Sequence, residues 1–267
     1  MPLLHLIILS VIQGVTEFLP VSSSGHLALY PLLSGGVDQG LAIDVAVHVG
    51  SLLAVMLYFR NDVAALMRGG LRLLVADWRA EEAKLVLLLA LATVPVVLAG
   101  LALTLLGWTD ALRSVAVIGW ATLIGGVILW LADSRGATRR EAAGWTLRDA
   151  LLIGLAQALA LIPGSSRSGV TMTAARALGF ARVDAARLSM LMSIPTIIAA
   201  GVLTARDLAG EENAALGLDA LIAAGLSFAA AYAALALMMR MLRSWTMTPF
   251  AIYRLILGAA LLAYAYF

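Results

Sequence analysis

The chain of 267 residues has no cysteine and only three histidines, and charged residues make up just 13% of it. Without cysteine no disulfide contributes to stability, which excludes a disulfide-stapled scaffold. A soluble domain carries about 25% charged and about 45–50% apolar residues, whereas 62% of this chain is hydrophobic and its mean hydropathy is +0.97. So few polar groups cannot cover a surface facing water, which excludes an ordinary cytosolic enzyme and a disordered chain. The net charge of +2 comes from arginines scattered among loops. They form no basic stripe, so nucleic acid is not an expected partner. The start lacks a basic n-region and polar residues interrupt it from Gln13 onward, so a cleaved signal peptide is not expected either.

Long apolar runs are what the chain does have. A helix needs about 20 largely apolar residues to span the hydrocarbon core. The runs 85–106, 114–131, 218–239 and 247–267 qualify cleanly. Two more qualify with interruptions: 43–59, which carries Asp44 and His48, and 188–204, which carries Pro195. Two further apolar stretches, 1–33 and 147–170, are broken by polar clusters. Arginine and lysine in short loops set orientation. Loops 60–84 and 133–148 and the turn at Arg240 and Arg243 are therefore cytoplasmic, and loops 107–113 and 205–219 lie outside.

On that count the two broken stretches enter the membrane from opposite faces, and both termini lie outside. The expectation is an all-α, multi-pass integral membrane protein with six transmembrane helices and two re-entrant helical hairpins. Residues 1–133 and 134–267 form its two halves. Gln13 followed by Pro20-Val21-Ser22-Ser23-Ser24-Gly25 is echoed by Gln157 followed by Pro163-Gly164-Ser165-Ser166-Arg167-Ser168-Gly169. Internal similarity with opposite orientation is the signature of an inverted-topology repeat, whose site lies between the halves.

The two echoing clusters also hold the unusual chemistry. Gln13 and Glu17 share a helix face, Pro20 disfavours helix at Leu19, and the Ser/Gly run favours a bend or a helix N-cap. Irregular backbone at membrane depth is tolerated only inside protein or beside a water-filled cavity, and an intramembrane carboxylate such as Glu17 reads as functional. Ser22, Ser23, Ser24 and His26 would then stand at a re-entrant tip. In the second cluster, Gly164, Ser165, Ser166, Ser168 and Thr171 surround Arg167, giving a donor-rich bend that opens a helix and is suited to an anion. Arginine adds a planar fork matched to phosphate. Together these are the parts of a phosphoryl-transfer site: a hydroxyl to attack phosphorus, an imidazole or carboxylate to take its proton, and Arg167 to hold the equatorial oxygens. Asp44 and His48, four residues apart, are positioned to bond each other within the bundle. Tyr253 and Arg254 open the last run and read as packing and anchoring residues. Trp108, Trp145 and Trp245 fall near span ends and read as interfacial belt residues.

These motifs resemble those of the bacterial undecaprenyl-diphosphate phosphatases, also called bacitracin-resistance proteins. Gln13 to His26 is similar to that family's [E/Q]-xxx-E-F-L-P-[VI]-S-S-[ST]-G-H pattern, and Pro163 to Gly169 to its P-G-x-S-R-S-G pattern. Asp44 to Val55, Val94-Pro95 and Phe250 to Arg254 add to the likeness, which runs the length of the chain. Gln13 stands where some members carry glutamate, leaving Glu17 as the sole motif carboxylate. The resemblance implies hydrolysis of undecaprenyl diphosphate to the monophosphate and inorganic phosphate, recycling a lipid carrier for peptidoglycan and other envelope polymers. It implies a site in the bacterial cytoplasmic (inner) membrane open to the periplasm, a divalent cation (Mg or Ca) near Glu17, and a homodimer as a possible assembly. By motif position Glu17, Ser23, His26, Arg167 and Thr171 are the functional residues. Ser23 would be the nucleophile, His26 its base and Arg167 the phosphate clamp, with Gln13, Ser22, Ser24, Gly164, Ser165, Ser166 and Ser168 lining the phosphate site.

Two other classes share part of the pattern. A lipid flippase or secondary transporter would show the same inverted repeat without needing the Ser/His/Glu/Arg set. A second lipid-phosphatase superfamily uses S-G-H followed by S-R-x5-H. Ser24-Gly25-His26 mimics the first element, but Thr173 stands where its nucleophilic histidine belongs.

Overall fold

The structure, a computed structural model, describes residues 3–34, 40–108, 110–208 and 216–267. Among the described residues helices are joined by turns and short loops, with one isolated bridge between Arg140 and Phe180. The helices are α1 (Leu3–Phe18), α2 (Ser23–Ser34), α3 (Leu41–Tyr58), α4 (Arg60–Leu74), α5 (Glu81–Leu105), α6 (Val115–Arg135), α7 (Leu147–Ala158), α8 (Arg167–Ala177), α9 (Arg182–Leu208), α10 (Leu216–Met241) and α11 (Thr248–Tyr266). Six of them, α3, α5, α6, α9, α10 and α11, are long and apolar enough to cross a membrane. These are the six apolar runs expected from the sequence: α9 and α10 extend beyond theirs at both ends, α11 is one residue shorter at each end, and the other three shift by a few residues. Pro95 and Pro195 lie inside α5 and α9; a spanning helix tolerates proline because its neighbours re-satisfy the freed carbonyl.

Segment 60–84 is a correction. It is not a loop: α4 fills most of it, because Arg60, Asp62, Arg68 and Arg72 alternate at helical spacing with Val63, Leu66 and Met67. Counting its charges gives orientation and hides that periodicity. Loop 133–148 is likewise only partly irregular, holding the end of α6 and a 3₁₀ turn over Ala142–Gly144. Of loop 205–219, residues 209–215 lie outside the described residues.

The helices interlock across the midpoint of the chain. Gly14 lets α1 approach α10 so closely that a Cβ there would stand 2.6 Å from the Ser227 carbonyl. Gln157 on α7 donates to the Ala92 carbonyl of α5 at 3.3 Å. Each broken stretch thus packs on a spanning helix of the opposite half, α1 on α10 and α7 on α5. Helices α6 and α11 pair with each other. Held in this way, the α1–α2 and α7–α8 bends meet in the interior.

Candidate active site

The two bends share one local conformation. At a constant offset along the chain Gln13 corresponds to Gln157, Pro20 to Gly164, Ser22 to Ser166 and Gly25 to Gly169. Ser22 and Ser166 both take a left-handed backbone, at φ 76° and 67°. Each then caps the following helix: Ser22 Oγ accepts from the Gly25 amide at 3.3 Å, and Ser166 Oγ from the Gly169 amide at 3.1 Å. The same offset places Ser23 opposite Arg167, each the first residue of its helix.

Those two residues converge on Glu17. Arg167 Nη2 donates to Glu17 Oε1 at 2.8 Å, and Ser23 Oγ and Gln13 Nε2 both donate to Oε2 at 2.8 Å. His48 Nε2 stands 3.9 Å from the same oxygen. Glu17 is 8% exposed, a burial tolerable for a carboxylate only when it is paired and bonded in this way. Ser168 Oγ donates to the Leu19 carbonyl at 2.9 Å and ties one bend to the other. The N-termini of α2 and α8, with their partial positive charge, both open at this point.

Two buried atoms beside the carboxylate have no partner: Arg167 Nη1, a donor, and Gln13 Oε1, an acceptor. A buried polar atom left unpaired costs about 1–3 kcal/mol, so the site is poised to receive an anionic group and a donor or cation together. Among the described residues no three His, Cys, Asp or Glu side chains are grouped to hold a metal ion. The Glu17 carboxylate and the orphaned Gln13 oxygen are the oxygen groups at this point that could take up a cation alongside phosphate oxygens, the usual setting of Mg²⁺.

Beside the cluster lies a cavity of about 560 Å³ lined by Glu17, Arg167, His48 and Asp44 together with apolar side chains of α3 and α9 such as Val45, Leu52, Ile197 and Val202. It joins a small polar head to a long apolar wall. His48 Nδ1 donates to the Asp44 carbonyl at 2.7 Å, leaving Nε2 to face the carboxylate.

A family profile described as bacitracin resistance protein BacA matches residues 6–260. The chain belongs to the BacA family. The undecaprenyl-diphosphatases of Roseobacter denitrificans and Dinoroseobacter shibae are each 58% identical to it over 266 residues, covering 100% of both chains. That of Campylobacter curvus is 47% identical over 262 residues, covering 98% of each.

In this BacA-family chain Glu17, Ser23, Arg167 and Gln13 come together, while other residues singled out from the sequence point elsewhere. His26 does not bond Ser23. Its Nδ1 donates to the Ser22 carbonyl at 2.7 Å, and Nε2 accepts from the Tyr253 hydroxyl at 2.5 Å. The Thr171 hydroxyl is buried between α8 and α9 against Ser189 Oγ at 2.7 Å and the Arg167 carbonyl at 2.8 Å. Ser22 and Ser166 are occupied as caps, with Ser24 and Ser168 each 3.2 Å from its cap hydroxyl. Gly164 and Ser165 present carbonyls to Arg254. Gly164 takes φ +94° with its Cα against the Ile118 backbone, where no side chain fits.

Three residues are more than the sequence suggested. His48 faces Glu17, Tyr253 holds His26, and Arg254 is buried at 0% exposure, an interior residue and not an interfacial anchor. The spacing of Asp44 and His48 was a usable signal for the first, and a charge inside the last apolar run was one for Arg254; nothing local signals the contact of Tyr253 with His26. Trp145 is also a correction. It is 7% exposed, directly after the 3₁₀ turn and part of the main buried apolar cluster, whereas Trp108 and Trp245 are exposed.

Proposed function

We propose that this chain hydrolyses undecaprenyl diphosphate to undecaprenyl phosphate and inorganic phosphate. The observation that carries it is a hydroxyl, a carboxylate and an arginine with a free donor edge converging at the head of an apolar cavity. The prenyl chain lies along the α3–α9 wall and the diphosphate at Arg167 and the two helix N-termini. Arg167 turns its unpaired Nη1 edge to the terminal phosphate. Ser23 Oγ attacks that phosphorus, its proton passing to Glu17 Oε2, to which it is already bonded. The bond from phosphorus to the bridging oxygen breaks and the lipid monophosphate leaves. Water then cleaves the phosphoserine, releasing inorganic phosphate and restoring the serine. His26, whose ring nitrogens bond the Ser22 carbonyl and the Tyr253 hydroxyl, takes no proton in this scheme. Gln13 and Glu17 are the residues that would hold a divalent cation, which when bound offsets charge on the diphosphate.

The matched bends and the reciprocal packing of α1 on α10 and α7 on α5 support an inverted repeat with two re-entrant hairpins. The arginine count supports a site facing the periplasm from the cytoplasmic membrane. A transporter of the same topology has no need of a serine bonded to a buried carboxylate. The test is phosphate release from polyprenyl diphosphate by the purified protein in detergent, with and without a chelator. Release by the wild type that is lost in Glu17→Gln is expected; no release under either condition would overturn the assignment.

A further inference from the structure

Arg254 lies fully buried in α11, where an arginine ordinarily requires a carboxylate. Its described acceptors are all backbone carbonyls. Nε donates to Thr122 at 3.1 Å, Nη1 to Pro20 at 3.3 Å, and Nη2 to Ala121, Gly164 and Ser165 at 3.3, 3.2 and 2.9 Å. These carbonyls belong to three separate pieces of chain: α6, the α1–α2 bend and the α7–α8 bend. One planar fork therefore grips both bends at once.

Space for the fork is provided on every side. A Cβ on Gly125 would run into Nη2 and one on Gly169 into Nη1, and one on Gly126 would stand 2.9 Å from Arg254 Cβ. The gripped carbonyls lie close along the chain to the groups that meet at Glu17, since Ser165 precedes Ser166-Arg167 and Pro20 precedes Val21-Ser22-Ser23. A planar, trans peptide fixes its amide opposite its carbonyl, so holding the Ser165 carbonyl also sets the peptide that enters the left-handed Ser166 cap. Lysine could not replace the fork, because a single ammonium has three donors on one atom and no fixed plane.

We propose that Arg254, outside both motifs, is the positioning residue that sets the spacing of Ser23 and Arg167 across Glu17. All three of its nitrogens face carbonyls, so it acts on turnover through the bends and not by contact with the lipid. The assignment of the reacting groups rests on the function proposed above; the grip on the bends does not.

The test uses Arg254→Lys and Gly125→Ala in the full chain in detergent, with spin labels on cysteines introduced at Leu27 and Val170, the chain having no others. In folded Arg254→Lys, kcat is expected to fall about 100-fold, the scale of an ångström-level misplacement. KM for polyprenyl diphosphate should stay within about twofold, because the groove is intact, and the label-to-label distance distribution should broaden. Gly125→Ala keeps the guanidinium but crowds Nη2, and should lower kcat about fivefold with the same broadening. A monodisperse Arg254→Lys with wild-type kcat, or with an unchanged distance distribution, overturns the proposal. If that variant does not fold, unchanged kcat and distances in Gly125→Ala overturn it instead. A wild type that releases no phosphate defeats the hydrolase assignment, while the spin-label comparison still decides the role of Arg254.

Discussion

The two bends match in backbone and differ in how they are held. The α7–α8 bend is braced along its whole length. Thr146 and Asp149 form a capping box at the start of α7, and Arg140 reaches the same carboxylate at 2.5 Å. At the far end of α8, Arg176 is fully buried. It donates to Asp133 Oδ1 at 2.9 Å and to the carbonyls of Ala137, Phe180, Asp133 and Gly136. Asp133 also accepts from Arg182 at 2.8 Å and from the Met247 amide at 2.9 Å, drawing α9 and α11 into the same joint. The α1–α2 bend has Glu17, Ser23 and His26 and fewer such braces: Arg254 on Pro20, Ser168 on Leu19, and Tyr253 on His26. One half is built as an anvil, and the other carries the groups that react.

Substitutions can break or sharpen this contrast. Ser23→Ala, in the acting half, should lower kcat about 10³-fold or more with lipid binding and thermal stability unchanged, as loss of a nucleophile does. A loss of only about fivefold would mean water attacks directly, the serine having supplied one hydrogen bond. Asp133→Asn, in the joint on α6 that braces the α7–α8 bend, should do the reverse. Leaving the buried Arg176 guanidinium and the half-buried Arg182 underpaired costs about 3–5 kcal/mol, seen as a large fall in Tm with kcat per folded molecule near wild type. Arg167→Lys tests the one residue of the braced half that faces the reaction. It keeps the charge and loses the fork, and turnover should fall about 100-fold; near wild-type turnover would reduce it to a brace. The smallest effect belongs to Asp149. Burial alone would raise its carboxyl pKa, but hydrogen bonds from Arg140 and Thr146 and the guanidinium charge outweigh burial and hold it below the usual range. A carboxyl depressed on folding contributes stability above its unfolded pKa of about 3.9, and that contribution is lost as pH falls through the folded value. Asp149→Asn should therefore cost about 1 kcal/mol at pH 7, after allowance for solvent screening at Arg140. Its Tm difference from wild type should shrink as the pH drops below 4.

The spanning helices were legible because length and apolarity decide membrane insertion residue by residue, and the bends because Pro20 and Gly164 cannot continue a helix there. Glu17, Ser23 and Arg167 stood out as polar groups among apolar runs. Arg254 was visible as a charge in the last apolar run but its partners were not, because they are carbonyls, which every residue carries and no sequence pattern marks. Tyr253 at His26 is a contact between distant segments, invisible to local spacing. The role given to His26 failed to allow for its neighbours: a carbonyl and a phenol occupy both ring nitrogens, and the serine turns to the carboxylate instead. Helix α4 was missed for a different reason, since its charges were counted and their period was not.

Ser22 and Ser166 hold a left-handed backbone that a glycine would adopt freely. A residue with a Cβ in that region costs about 1–3 kcal/mol, and a serine cap exceeds a glycine cap by only a few tenths. Replacing either serine with glycine would thus leave the fold as stable or more so. Two residues whose absence the fold would welcome are retained at the same point of both halves, next to Ser23 and Arg167. Each cap therefore sets the backbone beside a reacting residue at a cost in stability, and a screen for thermostable variants would erase it first.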